Sequence, residues 1–158
     1  MEFKTKVHAG TGQQDLVITR EFDLPVALLF KAYAEAEFLA QWMGTNVLKL
    51  ESKKQGSYLL ETKGKDGTVA FRAHGVIHDF IAGQKICRTF EMDGTDLGVQ
   101  LEVYVFERLT ENTSRLNMHV IYETAAQRDR VLKLPFTQGI NWAHNRLQEV
   151  MKGNKHSS

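Results

Sequence analysis

The chain has 158 residues, 42% of them hydrophobic, enough for one domain to bury most of the apolar surface that its unfolded form exposes. Lys and Arg number 20 against 19 Asp and Glu, leaving a formal charge of +1 with no long block of either sign, which excludes strong electrostatic attraction to nucleic acid or an anionic membrane. No stretch approaches the ~18 consecutive apolar residues of a membrane span, and the single cysteine, Cys87, rules out an intrachain disulfide.

Residues 1–13 carry charges and glycines without periodicity and read as a flexible arm; they contain no apolar core of signal-peptide type, so a cytoplasmic protein is expected. Asp15 to Phe22 is rich in β-formers and reads as the first strand, stopped by Asp23-Leu24-Pro25. Pro25 suits the first position of a helix, where its missing N–H costs nothing, and Val26, Leu29, Phe30 and Tyr33 follow on one face. A second short helix, about Glu37 to Met43, carries Phe38, Leu39, Trp42 and Met43 and ends at Gly44.

From Val47 the pattern changes to strands separated by turn residues. Val47–Lys53 and Ser57–Lys63 flank Gly56, and Asp66-Gly67 is a hairpin signal before Val69–Phe80. Lys85–Met92, Leu97–Leu109 and Ser114–Glu123 complete the series. Alternation is clearest in Leu97, Val99, Leu101, Val103 and Val105 and in Leu116, Met118, Val120 and Tyr122, which assigns these residues to the buried faces of their strands. Cys87, inside a strand with no His or Lys adjoining, reads as a structural thiol.

Thr124-Ala-Ala-Gln127 has the form of a capping box opening a short polar helix, and Pro135 constrains Leu134 to end it. The last helix, Phe136 to Lys152, places Phe136, Ile140, Ala143, Leu147, Val150 and Met151 on one stripe at ~100° per residue, with His144 at its edge and Trp142 pointing away. A single-faced helix after a meander of strands implies an α+β domain over residues 14–152, with the helix across a curved antiparallel sheet. Residues 153–158 read as a disordered tail.

Several fragments resemble a known family. Arg20-Glu-Phe-Asp-Leu-Pro25, Phe30, Phe38-Leu39-x-x-Trp42-Met43-Gly44, Glu51-x-Lys53-x-x-Gly56-x-Tyr58, Gly75-Val76-x-x-Asp79-Phe80, Thr89-Phe90 and Arg146-Leu147 resemble, in order and spacing, the proteins similar to the C-terminal domain of the Hsp90 ATPase activator, within the START/Bet v 1-like superfamily. The resemblance implies a helix-grip fold: a curved seven-stranded antiparallel sheet wrapped around the C-terminal helix, with two short helices after the first strand. The chain departs from the family at Gln55, where a glycine is usual, at Ile81-Ala-Gly-Gln84, where the turn is proline-rich, at Ile140, where tryptophan is common, and at His144, where an aliphatic residue is usual.

In that fold a pocket between sheet and helix is bounded by Trp42, Tyr58, Phe71, Ile140, His144 and Leu147. For the aromatic residues the plainer reading is ordinary core. For His144 two readings stand: a helix-edge ring reaching water or a backbone carbonyl, or a polar group inside the pocket that orients a ligand. A metal site is not expected, because no HxH, HExxH or CxxC occurs and His74 and His78 are about 13 Å apart along a strand; no cofactor is implied. Three functions follow, in order: binding of a small, mainly hydrophobic molecule, an enzyme of cyclase or hydrolase type in the same pocket, and contact with an Hsp90-type chaperone. Nucleic-acid and membrane partners are not expected, and a monomer or a homodimer is.

Overall fold

The computed structural model describes residues 3–153 and holds eight strands and four helices in an α+β arrangement. In chain order these are β1 (Lys6–His8), β2 (Asp15–Phe22), α1 (Val26–Ala34), α2 (Ala36–Met43), β3 (Asn46–Leu50), β4 (Ser57–Lys63), β5 (Val69–Ile81), β6 (Lys85–Met92), β7 (Val99–Arg108), β8 (Ser114–Tyr122), α3 (Ala125–Lys133) and α4 (Phe136–Gly153). All strands join one antiparallel sheet in the order β1-β2-β8-β7-β6-β5-β4-β3, a meander closed by the return of β2 beside β8. α4 lies on the inner face, with Leu147 and Met151 fully buried, so the apolar stripe does what its periodicity requires. None of the described helices is long and apolar enough to cross a membrane.

Local chemistry sets the boundaries. Gly44 closes α2 in the left-handed conformation (φ 65°), which a Cβ would strain. Gln55 adopts the same region (φ 64°) although it is not glycine; its amide donates to the Ile77 carbonyl at 2.7 Å, one of the bonds that hold this turn against β5. The capping box forms as the spacing requires: Thr124 Oγ1 accepts from the Gln127 amide, and Gln127 Oε1 accepts from the Thr124 amide, both at 3.1 Å. Pro25 stands one position earlier than expected, as the N-cap of α1.

Two expectations about the sheet need correction. The strand count is eight, because residues 6–8 of the expected arm pair with the sheet. Lys6–His8 pairs with Thr19, Ile18 and Val17 of β2, and Thr5 ahead of it is only 3% exposed. A three-residue strand with alternating burial is too short to show periodicity, so the pairing is visible only in the folded sheet. Met1, Glu2 and residues 154–158, which include most of the expected tail, lie outside the described residues.

The phase of β7 is also inverted. Register pairs Phe106, Tyr104, Glu102 and Gln100 with Leu116, Met118, Val120 and Tyr122 of β8, and directly opposed residues share a face. Gln100, Glu102, Tyr104 and Phe106 therefore point inward, and the alternating valines point outward, with Val105 42% exposed. Bulky aromatics fill the concave side; small β-branched residues cover the convex one.

Candidate functional site

Between the inner face of the sheet and α4 lies a cavity of about 530 Å³, within the ~300–1,000 Å³ common for small-molecule sites. Its outer part is apolar: Met43 from α2, Phe71, Phe90 and Met92 from the sheet, Leu97 from the loop before β7, and Phe136 and Ile140 from α4. These side chains are only partly buried, and Leu134 stands exposed at the rim. The inner end is different. Tyr33, Arg88, Glu102, Tyr104 and His144 line it, each nearly inaccessible to solvent.

Four of the six residues expected to bound the pocket do so: Trp42, Phe71, Ile140 and His144. Tyr58 and Leu147 do not. Tyr58 reaches across Gly75 of the neighbouring strand to donate to the Thr89 carbonyl, a path that any Cβ at Gly75 would block. Its ring thereby lies under the Arg88 guanidinium, 4.6 Å from the centroid, and supports the cavity wall without forming it. Leu147, a turn beyond His144, is sealed in the core. Trp142 points outward as expected, 61% exposed, with Arg146 over its ring.

Arg88, Glu102, Tyr104 and Gln100 are the residues that sequence reasoning missed. Arg88 and Glu102 are directly opposed on β6 and β7, and their ion pair closes at 2.9 Å with both residues 6% exposed. Tyr104 accepts from Arg88 Nη2 at 3.0 Å and donates to Glu102 Oε1 at 2.7 Å, while Gln100 donates to Glu102 Oε2 at 2.7 Å. The guanidinium is enclosed by the Tyr58 and Tyr104 rings. Burial alone would lower the Arg88 pKa, but the surrounding Tyr104, Tyr58 and Glu102 outweigh it and hold the group well above its ordinary value. The available signal was an isolated charge in each of two alternating series, Ile86-Arg88-Phe90 and Glu102-Tyr104-Phe106.

His144 is sealed from bulk solvent, and its partners are side chains. It is 1% exposed; its Nδ1 lies 2.8 Å from Thr5 Oγ1 and its Nε2 3.4 Å from the Tyr33 hydroxyl. Arg20 Nη1 donates to the same Thr5 oxygen at 3.3 Å, and Phe22 meets the ring edge-on. The segment before β1 thus closes the helix edge that the isolated stripe left open. Burial, helped by the Arg20 guanidinium, depresses the imidazole pKa from 6.5 to about 3, so the ring is neutral at physiological pH.

That shift fixes the sign of a pH effect. Below the unfolded value of 6.5 the unfolded chain binds a proton that the folded chain refuses until about 3, so the stability contribution is complete above pH 6.5 and is lost as the pH falls toward 3. Urea melts near neutrality and at about pH 5 are expected to show the native protein losing about 2 kcal/mol more than His144→Gln, at ~1.4 kcal/mol per pH unit. Equal losses in both proteins would mean that the ring is not held neutral.

Among the described residues no cluster of His, Cys, Asp or Glu has the arrangement of a metal site. The cavity instead combines an apolar outer part with a charge-balanced polar end, an arrangement suited to taking up an amphipathic molecule polar end first.

Comparisons with known proteins bear on the whole of this architecture. The model of the family described as activator of Hsp90 ATPase homolog 1-like protein matches residues 23–152. Among solved structures the chain is similar to protein Ms6760 from Mycobacterium smegmatis, at 22% identity and a TM-score of 0.81, covering 93% of this chain and 96% of that one. A protein from Rhodobacter sphaeroides superposes with a TM-score of 0.84 at 18% identity, over 95% and 99% of the two chains. One from Arthrobacter aurescens gives 0.83 at 18% identity, over 94% and 91%. At these identities the structures establish the helix-grip fold alone. No curated protein matches.

Proposed function

The chain belongs to the family of activator of Hsp90 ATPase homolog 1-like proteins, and we propose that it binds a small, mainly hydrophobic molecule in the cavity between the sheet and α4. The observation that carries this reading is the cavity itself: about 530 Å³ bounded by Phe71, Phe90, Met92, Phe136 and Ile140. Burial of apolar ligand surface at ~25 cal/mol per Å² supplies the affinity, and the polar inner end fixes orientation.

Ionisable groups do converge on the inner end, the feature that favours an enzyme. Their tuning favours binding. A general acid or base works best with a pKa near the operating pH, whereas His144 is pushed to about 3. Burial also drives the Tyr33 and Tyr104 hydroxyls upward, and the charges of Arg88 and Glu102 are committed to each other. His144, Tyr33, Tyr104 and Arg88 each stay in one protonation state near neutrality.

Native mass spectrometry of the purified protein is expected to reveal a co-purified small molecule, and Nile red, a neutral apolar dye, is expected to bind saturably with a blue-shifted emission. Ile140→Trp places a large ring in the cavity and should abolish both signals while leaving the thermal transition in place. Equal Nile red binding by the native protein and Ile140→Trp would move the site elsewhere. Contact with an Hsp90-type chaperone is then the second reading, favoured by two valines on the outer face of the sheet, Val17 and Val105, which are 40% and 42% exposed.

A further inference from the structure

The inner end of the cavity is neutral overall, and that neutrality constrains what enters it. Arg88 spends Nε on Glu102 and Nη2 on Tyr104, leaving Nη1 without a hydrogen-bond partner among the described residues. Glu102 Oε2 receives a single bond, from Gln100, and has lone-pair capacity to spare. One donor and one acceptor thus remain on neighbouring strands, on side chains that both line the cavity. An incoming carboxylate would satisfy Nη1, but it would bring a second negative charge beside Glu102 into a site shielded from water, with no further Lys or Arg on the cavity wall among the described residues. A neutral group that accepts from Arg88 and donates to Glu102 uses both positions and leaves the charge balance untouched.

We propose that the cavity selects amphipathic ligands by an uncharged head that both accepts and donates hydrogen bonds, of the carboxamide or hydroxy-carbonyl type, that it discriminates against carboxylates, and that Glu102 sets this choice. The proposal rests on the cavity being the binding site, and its test separates the two.

Naphthalene carboxamide and naphthalene carboxylate have nearly the same shape and differ in charge near pH 8, so each is titrated against bound Nile red. The native protein is expected to bind the carboxamide at least tenfold more tightly. In Glu102→Gln the side chain keeps its shape but Arg88 loses its counter-charge, so a ligand carboxylate can supply it, and the preference should reverse. An unchanged ratio in Glu102→Gln overturns the proposal, as does a native protein that prefers the carboxylate. If Glu102→Gln does not fold, the native protein decides alone: equal affinity for both compounds overturns the proposal and a tenfold preference for the amide supports it. Nile red binding that neither compound displaces also counts against the head-group selectivity. Failure of Nile red itself to bind counts against the cavity.

Discussion

Arg88→Ala is expected to cost about 3–5 kcal/mol of folding stability, because it leaves the Glu102 carboxylate buried without its counter-charge. The pair as a whole is worth much less than this loss. Removing two charges from water is costly, and their attraction in the interior repays that cost only because Tyr104 and Gln100 also donate to the carboxylate. A double replacement, Arg88→Met with Glu102→Leu, should therefore recover most of what Arg88→Ala loses. The single losses will not add, since both substitutions remove the same interaction. Urea denaturation of the native protein, Arg88→Met, Glu102→Leu and the double supplies the cycle. A cost below about one kilocalorie for Arg88→Ala would mean that water reaches the inner end freely, and the charge argument for ligand selection would fall with it.

Leu147→Ala is expected to cost about 2–5 kcal/mol. Leu147 is completely buried and does not border the cavity, so its truncation creates a void with no existing space to merge into. Ile140, one face-repeat earlier on the same helix, offers the control: it is partly buried and already borders open volume, so Ile140→Ala should cost less than half as much. Urea melts of the two variants test the contrast. A loss below half a kilocalorie for Leu147→Ala would mean that α4 does not seat on the sheet through this residue.

These expectations draw on different levels of information. That Leu147 is core follows from a period of 3.6 residues, legible in the residues of α4 alone. The cap at Gly44, the Thr124–Gln127 capping box and the outward-facing Trp142 were legible in the same way. Each depends on residues within a turn or two of one another, so local sequence carries it. The fragments shared with the family were equally legible, and the helix-grip geometry that they imply led to Trp42 and Phe71 as cavity residues. Tyr58 was misplaced because its direction depends on Gly75, its partner across the sheet, which has no side chain to stop the phenol.

The α+β class, the meander, the helix that closes it and the family are all written into contiguous residues. Local propensity, turn chemistry and the width of an apolar stripe survive in any chain that carries them. Which face of β7 looks inward is settled only on folding, because period-2 alternation is symmetric and both phases of that strand are apolar enough to be buried. Register against β8 broke the symmetry, and with it Arg88 and Glu102 met inside the cavity wall. Likewise, nothing near His144 in sequence distinguishes a wet ring from a dry one. Thr5, 139 positions away, closes that edge through one hydrogen bond, and the resulting desolvation makes the ring neutral.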